Sequence, residues 1–197
     1  MPTPPATTPF DPAILAELKR EGLLREGHFA YQSGRHGPIV LDRDHLLSSP
    51  SLAAHVGYAL AKRFFTSHIA TVATPSIWGA GLAQWVAHFL EPKARVVYAT
   101  PTAAGPAIAG DLEDLLRGKR TLLVDNLIAS GETMRHFVPL VEGVGAEIVG
   151  IATVWDAADE VIASHTVVGL LNGLYAAYPE GACPLCAAGD AATALPY

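Results

Sequence analysis

The chain has 197 residues, with 13 Lys plus Arg against 19 Asp plus Glu and a formal net charge of −6 at pH 7. Half of the residues are hydrophobic and 16% are charged, which suits a core-forming chain and excludes a disordered one. An acidic balance with no Lys/Arg-rich run also excludes a nucleic-acid binder that works through a basic face. The charges are unevenly placed: residues 1–135 hold all 13 cations, whereas 136–197 hold none and carry seven carboxylates. A polyanionic ligand would have to draw its cations from the first two thirds.

Residues 1–10 lack the basic and apolar stretches of a signal peptide and read as a mobile tail. Asp11 before Pro12 is an N-cap followed by proline at the first helical position, and Gly22 closes that helix. The Gly- and polar-rich stretch 25–44 is expected to hold short extended pieces, and Ser49-Pro50-Ser51 opens a helix running to Phe64 or Phe65. Strands are then expected at 69–74, 95–99, 120–124, 147–155 and 165–171, with helices at 79–90 and 133–143. Near-continuous apolar strands alternating with helices predict an α/β fold whose parallel sheet is covered on both faces. The uncharged windows 69–90 and 161–179 contain Pro75, Gly79 and Gln84, and Ser164, His165 and Asn172, so they read as strand–loop–helix segments and not as membrane spans. Residues 175–197 read as an appended loop. Two cysteines are too few for a disulfide scaffold, so a cytoplasmic protein is expected.

In such a sheet, ligands bind beyond the carboxyl ends of the strands, here the turns after Ala73, Ala99 and Val124. The third turn reads Val124-Asp125-Asn126-Leu127-Ile128-Ala129-Ser130-Gly131-Glu132-Thr133. Ser130, Gly131 and Thr133 can wrap backbone N–H groups and hydroxyls around a phosphate at a helix N-terminus. Asp125 and Asn126 can hydrogen-bond a ribose diol, and the turn therefore suits a sugar phosphate. The alternative is an ordinary strand–turn–helix whose Asp and Ser serve as caps.

This segment resembles the signature of type I phosphoribosyltransferases that binds phosphoribosyl pyrophosphate (PRPP). Gly27 to Pro38, with Gln32-Ser33-Gly34-Arg35-His36-Gly37, is similar to the hood segment of the orotate phosphoribosyltransferases. Thr74-Pro75-Ser76-Ile77-Trp78-Gly79 resembles that family's pyrophosphate loop, and Tyr178 to Gly189, with Cys183-Pro184-Leu185-Cys186, the end of some bacterial members. The resemblance implies the type I phosphoribosyltransferase fold, a parallel sheet flanked by helices with a small N-terminal hood. The expected division is a tail at 1–10, one domain at 11–174 with its hood at about 25–47 and core at about 50–174, and an extension at 175–197.

It also implies a Mg2+-dependent transfer in which a pyrimidine base replaces the pyrophosphate of PRPP, with the metal bound through PRPP and no protein metal site. Asp125 would be catalytic and hold the ribose hydroxyls, and Asn126, Ala129, Ser130, Gly131, Glu132 and Thr133 would complete the PRPP site. Thr74, Pro75, Ser76, Trp78 and Gly79 would face the pyrophosphate, while Gln32, Ser33, Arg35 and Gly37 would serve the base or the hood. PRPP and a nucleobase are the expected ligands, and a homodimer the expected assembly.

Five positions depart from the family pattern. Asn126 replaces the second acid, Trp78 a glycine, Gln32 a lysine and Ala157 the arginine that reads the orotate carboxylate. Residues 100–116 align with the mobile catalytic loop yet carry three carboxylates and no Lys or Arg. Arg35, His36 and Arg43 are the nearest substitutes. The competing readings are a catalytically weakened paralogue, binding PRPP or a nucleotide as a sensor or partner protein, and a transferase for a different base. Cys183 and Cys186 supply half of a zinc site that two chains would complete across a dimer; a free thiol pair and a local disulfide are the alternatives. The eight histidines show no metal-ligand spacing. Gly79-Ala80-Gly81 is a fragment of a dinucleotide fingerprint that lacks its third glycine.

Overall fold

The computed structural model describes residues 10–90, 94–103, 105–157, 161–172 and 174–195, so the expected tail, apart from Phe10, lies outside the described residues. In chain order the elements are α1 (Pro12–Arg20), β1 (Leu24–Ala30), β2 (Arg35–Leu41), α2 (Arg43–Ser48), α3 (Pro50–Ala61), β3 (Thr71–Thr74), α4 (Ile77–Leu90) and β4 (Arg95–Tyr98). There follow β5 (Thr100–Thr102), β6 (Gly105–Ala107), α5 (Gly110–Glu113), β7 (Arg120–Ile128), α6 (Glu132–Gly143), β8 (Glu147–Asp156), β9 (Val167–Gly169), β10 (Tyr178–Pro179), α7 (Pro184–Ala187) and β11 (Thr193–Ala194). No helix among the described residues is long and apolar enough to cross a membrane.

The main sheet has the order β4-β3-β7-β8-β9, every pair parallel. Its alternating side chains supply two separate cores. Val72, Leu122, Val124, Ala152 and Val154 pack on one face with α3 and α4, and Ala73, Leu123 and Ile151 on the other with Met134, Phe137 and Val141 of α6. Burial on both faces explains the lack of a polar alternation in these strands. The chain enters at β3, crosses to β4 on one side, then returns to β7 on the other. That reversal places the β3–α4 and β7–α6 turns side by side at the carboxyl end of the sheet, where such folds take their ligands.

The second sheet has the order β10-β2-β1-β11. Its centre is the β1–β2 hairpin, which falls in the stretch of about 25–47 expected as the hood. Its edges come from residues 175–197, which the sequence presented as an appended loop. Tyr178 and Pro179 pair with His36 and Arg35, while Thr193 and Ala194 run beside Phe29 and Ala30. Strands of two residues carry too little periodicity to be seen in a sequence, and only the hairpin gives them partners.

Two further differences bear on the site. β7 continues four residues past Val124, with Leu127 and Ile128 paired to Trp155 and Asp156 of β8, so Asp125 and Asn126 stand on the strand and not in the turn. Residues 100–116 also hold structure, because β5 and β6 form a hairpin and Leu116 inserts into the α6 core.

The α1 cap is as the sequence predicts. Asp11 Oδ1 accepts from the N–H groups of Ala13 and Ile14, at 3.2 and 3.3 Å, and Lys62 Nζ donates to Oδ2 at 2.8 Å. Burial pushes the Asp11 carboxyl up, but the Lys62 contact and the helix N–H groups outweigh it and leave the group below its usual range. Asp11→Ala should therefore cost about 1–2 kcal/mol at neutral pH. Because the folded-state value is depressed, this difference should be full above the ordinary carboxylate pKa of 3.8 and shrink as the pH falls below it, which urea unfolding of both proteins at several pH values would measure.

Candidate functional site

A cleft of about 460 Å³ opens at the carboxyl end of β7. Its walls include Gln32 and Ser33 from the β1–β2 turn, Pro106 from the β5–β6 hairpin, Asp125 on β7, and Ala129 to Thr133 leading into α6. Gly131 is the N-cap of α6 and has φ +77°, a left-handed conformation that favours glycine. The Arg135 N–H closes the first helical turn on the Gly131 carbonyl at 2.9 Å, and the Arg135 Nη1 donates to the Ser130 carbonyl at 2.8 Å. The result is a short turn before a 12-residue helix whose N-terminus meets the cleft, a setting that favours an anion.

Asp125 is the half-buried acid of this cleft. Desolvation pushes its carboxyl up to about 6 from 3.8, against the opposing effects of the Asn126 N–H it accepts at 2.8 Å and of the Arg43 guanidinium. Arg43 thus acts on the site electrostatically. Arg43 Nε also lies 3.8 Å from Asp44 Oδ1, and the other two proposed substitutes, Arg35 and His36, are engaged away from the cleft. Arg35 donates through Nε and Nη2 to the Ala177 carbonyl at 3.1 and 2.6 Å, and His36 turns towards His28, Cys183 and Cys186.

Asn126 also takes a place that the sequence did not suggest. Its side chain is 2% exposed, and Nδ2 donates to the Trp78 carbonyl at 3.1 Å, which ties the end of β7 to the start of α4. A carboxylate there could not donate this bond, so the amide follows from the geometry. Trp78 directs its ring outward, 70% exposed, and is not among the lining residues of the cleft. Gly79 answers a close approach, since a Cβ there would lie 2.0 Å from Thr74 Oγ1. Thr74, Pro75, Ser76 and Gly79 form the neighbouring turn without lining the same cavity.

Of the four hood residues, the structure brings Gln32 and Ser33 to the cleft but not Arg35 or Gly37. Gly37 leaves room for Tyr31, whose hydroxyl donates to the Ile39 carbonyl at 2.5 Å. In the 100–116 segment, Pro106 alone among the described residues lines the cleft. Asp111, Glu113 and Asp114 belong to α5 and its end, where Glu113 and Asp114 lie 3.4 and 3.8 Å from Arg117. The segment thus brings no cation to the cleft, but its carboxylates do not line it. His136, which sequence reasoning missed, lines the cleft one helical turn after Thr133, so the i, i+3 spacing was its available signal.

The phosphoribosyl transferase domain family matches residues 42–170 of the chain. An orotate phosphoribosyltransferase of Thermus thermophilus is 33% identical over 177 residues, which cover 89% of this chain and 96% of that protein. The chain belongs to the type I phosphoribosyltransferase family. Among solved structures, an orotate phosphoribosyltransferase from Aeropyrum pernix aligns with a TM-score of 0.61 at 20% identity, covering 80% of this chain and 92% of that one. An adenine phosphoribosyltransferase from Thermoanaerobacter pseudethanolicus gives 0.62 at 21% identity, covering 79% and 98%. The near-equal scores show that the phosphoribosyltransferase fold is shared between chains named for different bases.

One consequence of the buried acid can be measured without ligand. A carboxyl raised in the folded state binds its proton more tightly there than in the unfolded chain. It therefore favours folding at acid pH, and that contribution is lost as the pH rises from about 4 to about 6. Asp125→Asn should make the ligand-free protein more stable by up to ~3 kcal/mol at pH 7.5, with the gain vanishing below pH 4. Denaturant unfolding across this range would test it; an unchanged or lower stability at pH 7.5 would contradict the desolvated carboxylate.

Proposed function

We propose that this chain is an orotate-type phosphoribosyltransferase, which joins a pyrimidine base to ribose C1 of PRPP and releases pyrophosphate. The observation that carries the reading is that Asp125, the 129–133 turn at the α6 N-terminus and the hood residues Gln32 and Ser33 line one cleft. The 33% identity to an orotate phosphoribosyltransferase across nearly the whole chain supports the orotate class.

In this reading the 5-phosphate takes the N–H groups and hydroxyls of Ala129 to Thr133, and Asp125 accepts hydrogen bonds from the ribose diol. With the sugar held at both ends, the C1–oxygen bond to pyrophosphate breaks as the base nitrogen approaches from the other face, so the chain acts mainly by positioning. Thr74, Pro75, Ser76, Trp78 and Gly79 form the turn that faces the leaving group, with Asn126 holding that turn in place. Mg2+ would be held through the phosphate and hydroxyl oxygens of PRPP, with Asp125 kept for the ribose hydroxyls and no metal site built from protein side chains. When bound, the ion offsets charge on the departing pyrophosphate. We take the protein to be a cytoplasmic homodimer; the exposed Ile77 and Trp78 at the start of α4 suit a contact between copies.

A second reading rests on a specific observation, the absence of Lys and Arg from 100–116. Each missing charge-assisted contact to pyrophosphate would cost ~2–4 kcal/mol in the transition state, and Arg43 can replace at most one of them. Holding the 5-phosphate does not need these cations. The chain would then bind PRPP or a nucleotide and turn over slowly, as a sensor or partner protein. Ala157, buried and without charge, leaves room for a third variant, in which a base without a carboxylate is the acceptor.

The deciding experiment follows PRPP and Mg2+ with orotate and a panel of bases, beside a PRPP-dependent thermal shift. We expect a stabilising shift, turnover with a pyrimidine, and weakened PRPP binding in Asp125→Ala. A lysine introduced in 100–109 should raise the rate. Binding without turnover on any base would favour the sensor reading, and no shift with PRPP would sink both.

A further inference from the structure

Away from the cleft, four side chains that chemistry associates with metals converge on one point. His28 stands on β1 and His36 on β2. Ala30 pairs with His36, and His28 lies two positions before Ala30 on β1, so both histidines are on one face of the hairpin with the Phe29–Gly37 pair between them. Between β10 and β11, which flank the hairpin on opposite edges, the chain crosses this face and sets Cys183 and Cys186 over the two rings. The ligand atoms of all four lie within 4.8 Å of one another. His28, His36 and Cys183 are buried, at 8, 8 and 3% exposure. The eight-residue separation of the histidines matches no familiar zinc pattern, and this is why the sequence showed no ligand spacing: hairpin register, not helix periodicity, brings them together.

We propose that His28, His36, Cys183 and Cys186 of a single chain bind one Zn2+ ion, which fastens the C-terminal segment to the hood. The distances carry the identification. His28 Nε2 lies 3.2 Å from His36 Nδ1, 3.5 Å from Cys183 Sγ and 3.6 Å from Cys186 Sγ, and His36 Nδ1 lies 3.2 Å from Cys186 Sγ. A tetrahedral ion with Zn–N of ~2.0 Å and Zn–S of ~2.3 Å places its nitrogens ~3.3 Å apart and nitrogen and sulfur ~3.5 Å apart. Four of the six separations are thus within about 0.4 Å of those in such a site, and all six are within 4.8 Å. The surroundings favour the same state. The Nδ1–H of His28 donates to the Asp190 carbonyl at 2.9 Å, which fixes the tautomer and leaves the Nε2 lone pair facing the sulfurs. Two thiolates and two neutral imidazoles cancel the charge of Zn2+, so the buried site is neutral overall. Two sulfurs and two nitrogens in tetrahedral array select zinc over the hard, oxygen-seeking Mg2+.

The site differs from one shared between chains, since each protomer supplies all four ligands. Its consequence is mechanical. The ion closes the chain between positions 28 and 183 and holds β10 and β11 against the hairpin whose Gln32–Ser33 turn walls the cleft. The proposal does not depend on which base, if any, the protein accepts.

The test uses the full chain from zinc-supplied cells, purified without added reductant, with the thiols reduced only before the metal titrations. We expect one zinc per chain by elemental mass spectrometry, and a lower melting temperature after chelation that one equivalent of Zn2+ restores. Co2+ added to the stripped chain should saturate at one equivalent, with visible bands of a tetrahedral ion and a sulfur-to-metal charge-transfer band. His28→Ala/His36→Ala and Cys183→Ser/Cys186→Ser should each lose the zinc. Because the Co2+ titration needs no variant, misfolding of the double mutants would not decide the matter. Stripped native chain that takes up neither ion would overturn the proposal. So would half an equivalent per chain that survives loss of the histidines, which would assign the metal to four cysteines of two chains. A Cys183–Cys186 disulfide in the freshly purified protein, seen as a mass 2 Da lower with no zinc bound, would also refute it.

Discussion

The hydrogen bond from the Asn126 side-chain amide to the Trp78 carbonyl joins the two turns on which the site depends. Parallel pairing of β3 with β4 on one side and β7 on the other brings these turns together, but strand pairing ends at Ala73–Leu123 and does not fix their relative position further out. A buried amide at the end of β7 supplies that link, and only a donor can do so. The bond accounts for the amide at 126 but not for the tryptophan at 78, since any residue there would offer the same main-chain carbonyl. The amide holds the backbone of residue 78 while its ring stays in solvent. Asp125 is left as the one acid at that step of the strand, desolvated on one side and open to the cleft on the other.

The charge asymmetry of the chain takes on a different meaning once placed. The carboxylates of 100–116 seemed to oppose a leaving pyrophosphate directly, yet they sit on and beside α5 with Arg117 and do not line the cleft. What remains is the lack of cations in that segment, partly offset by Arg43, whose charge reaches Asp125. Under the proposed transfer, the cost would fall on stabilising the leaving group and not on holding the sugar phosphate.

How much was legible follows from the range of each signal. The α1 cap and the alternation of apolar strands with helices are written in contiguous residues, and the structure returns both; it also places the 129–133 turn at the start of α6, where a phosphate role remains the proposal made above. The end of β7 was misjudged because Asp125 and Asn126 resemble turn residues, although Leu127 and Ile128 beyond them still pair with β8. The commitment of Arg35 to the Ala177 carbonyl could not be read locally, because its partner lies 142 residues away. The His28–His36–Cys183–Cys186 cluster failed for the same reason. Hairpin register and the return of the C-terminal segment join residues that carry no common period. Contacts set by side-chain period could be read; contacts set by closing long loops could not.

The central claim is that the α6 N-terminus and Asp125 together form a sugar-phosphate site, whatever the rate of transfer. A crystal structure of the chain with ribose 5-phosphate tests it most directly. The account predicts the phosphate against the backbone N–H groups of 129–133 and the ribose diol on the Asp125 carboxylate, with the Asn126–Trp78 bond intact. Density for the ligand elsewhere, or a phosphate at this turn with the diol turned away from Asp125, would contradict it.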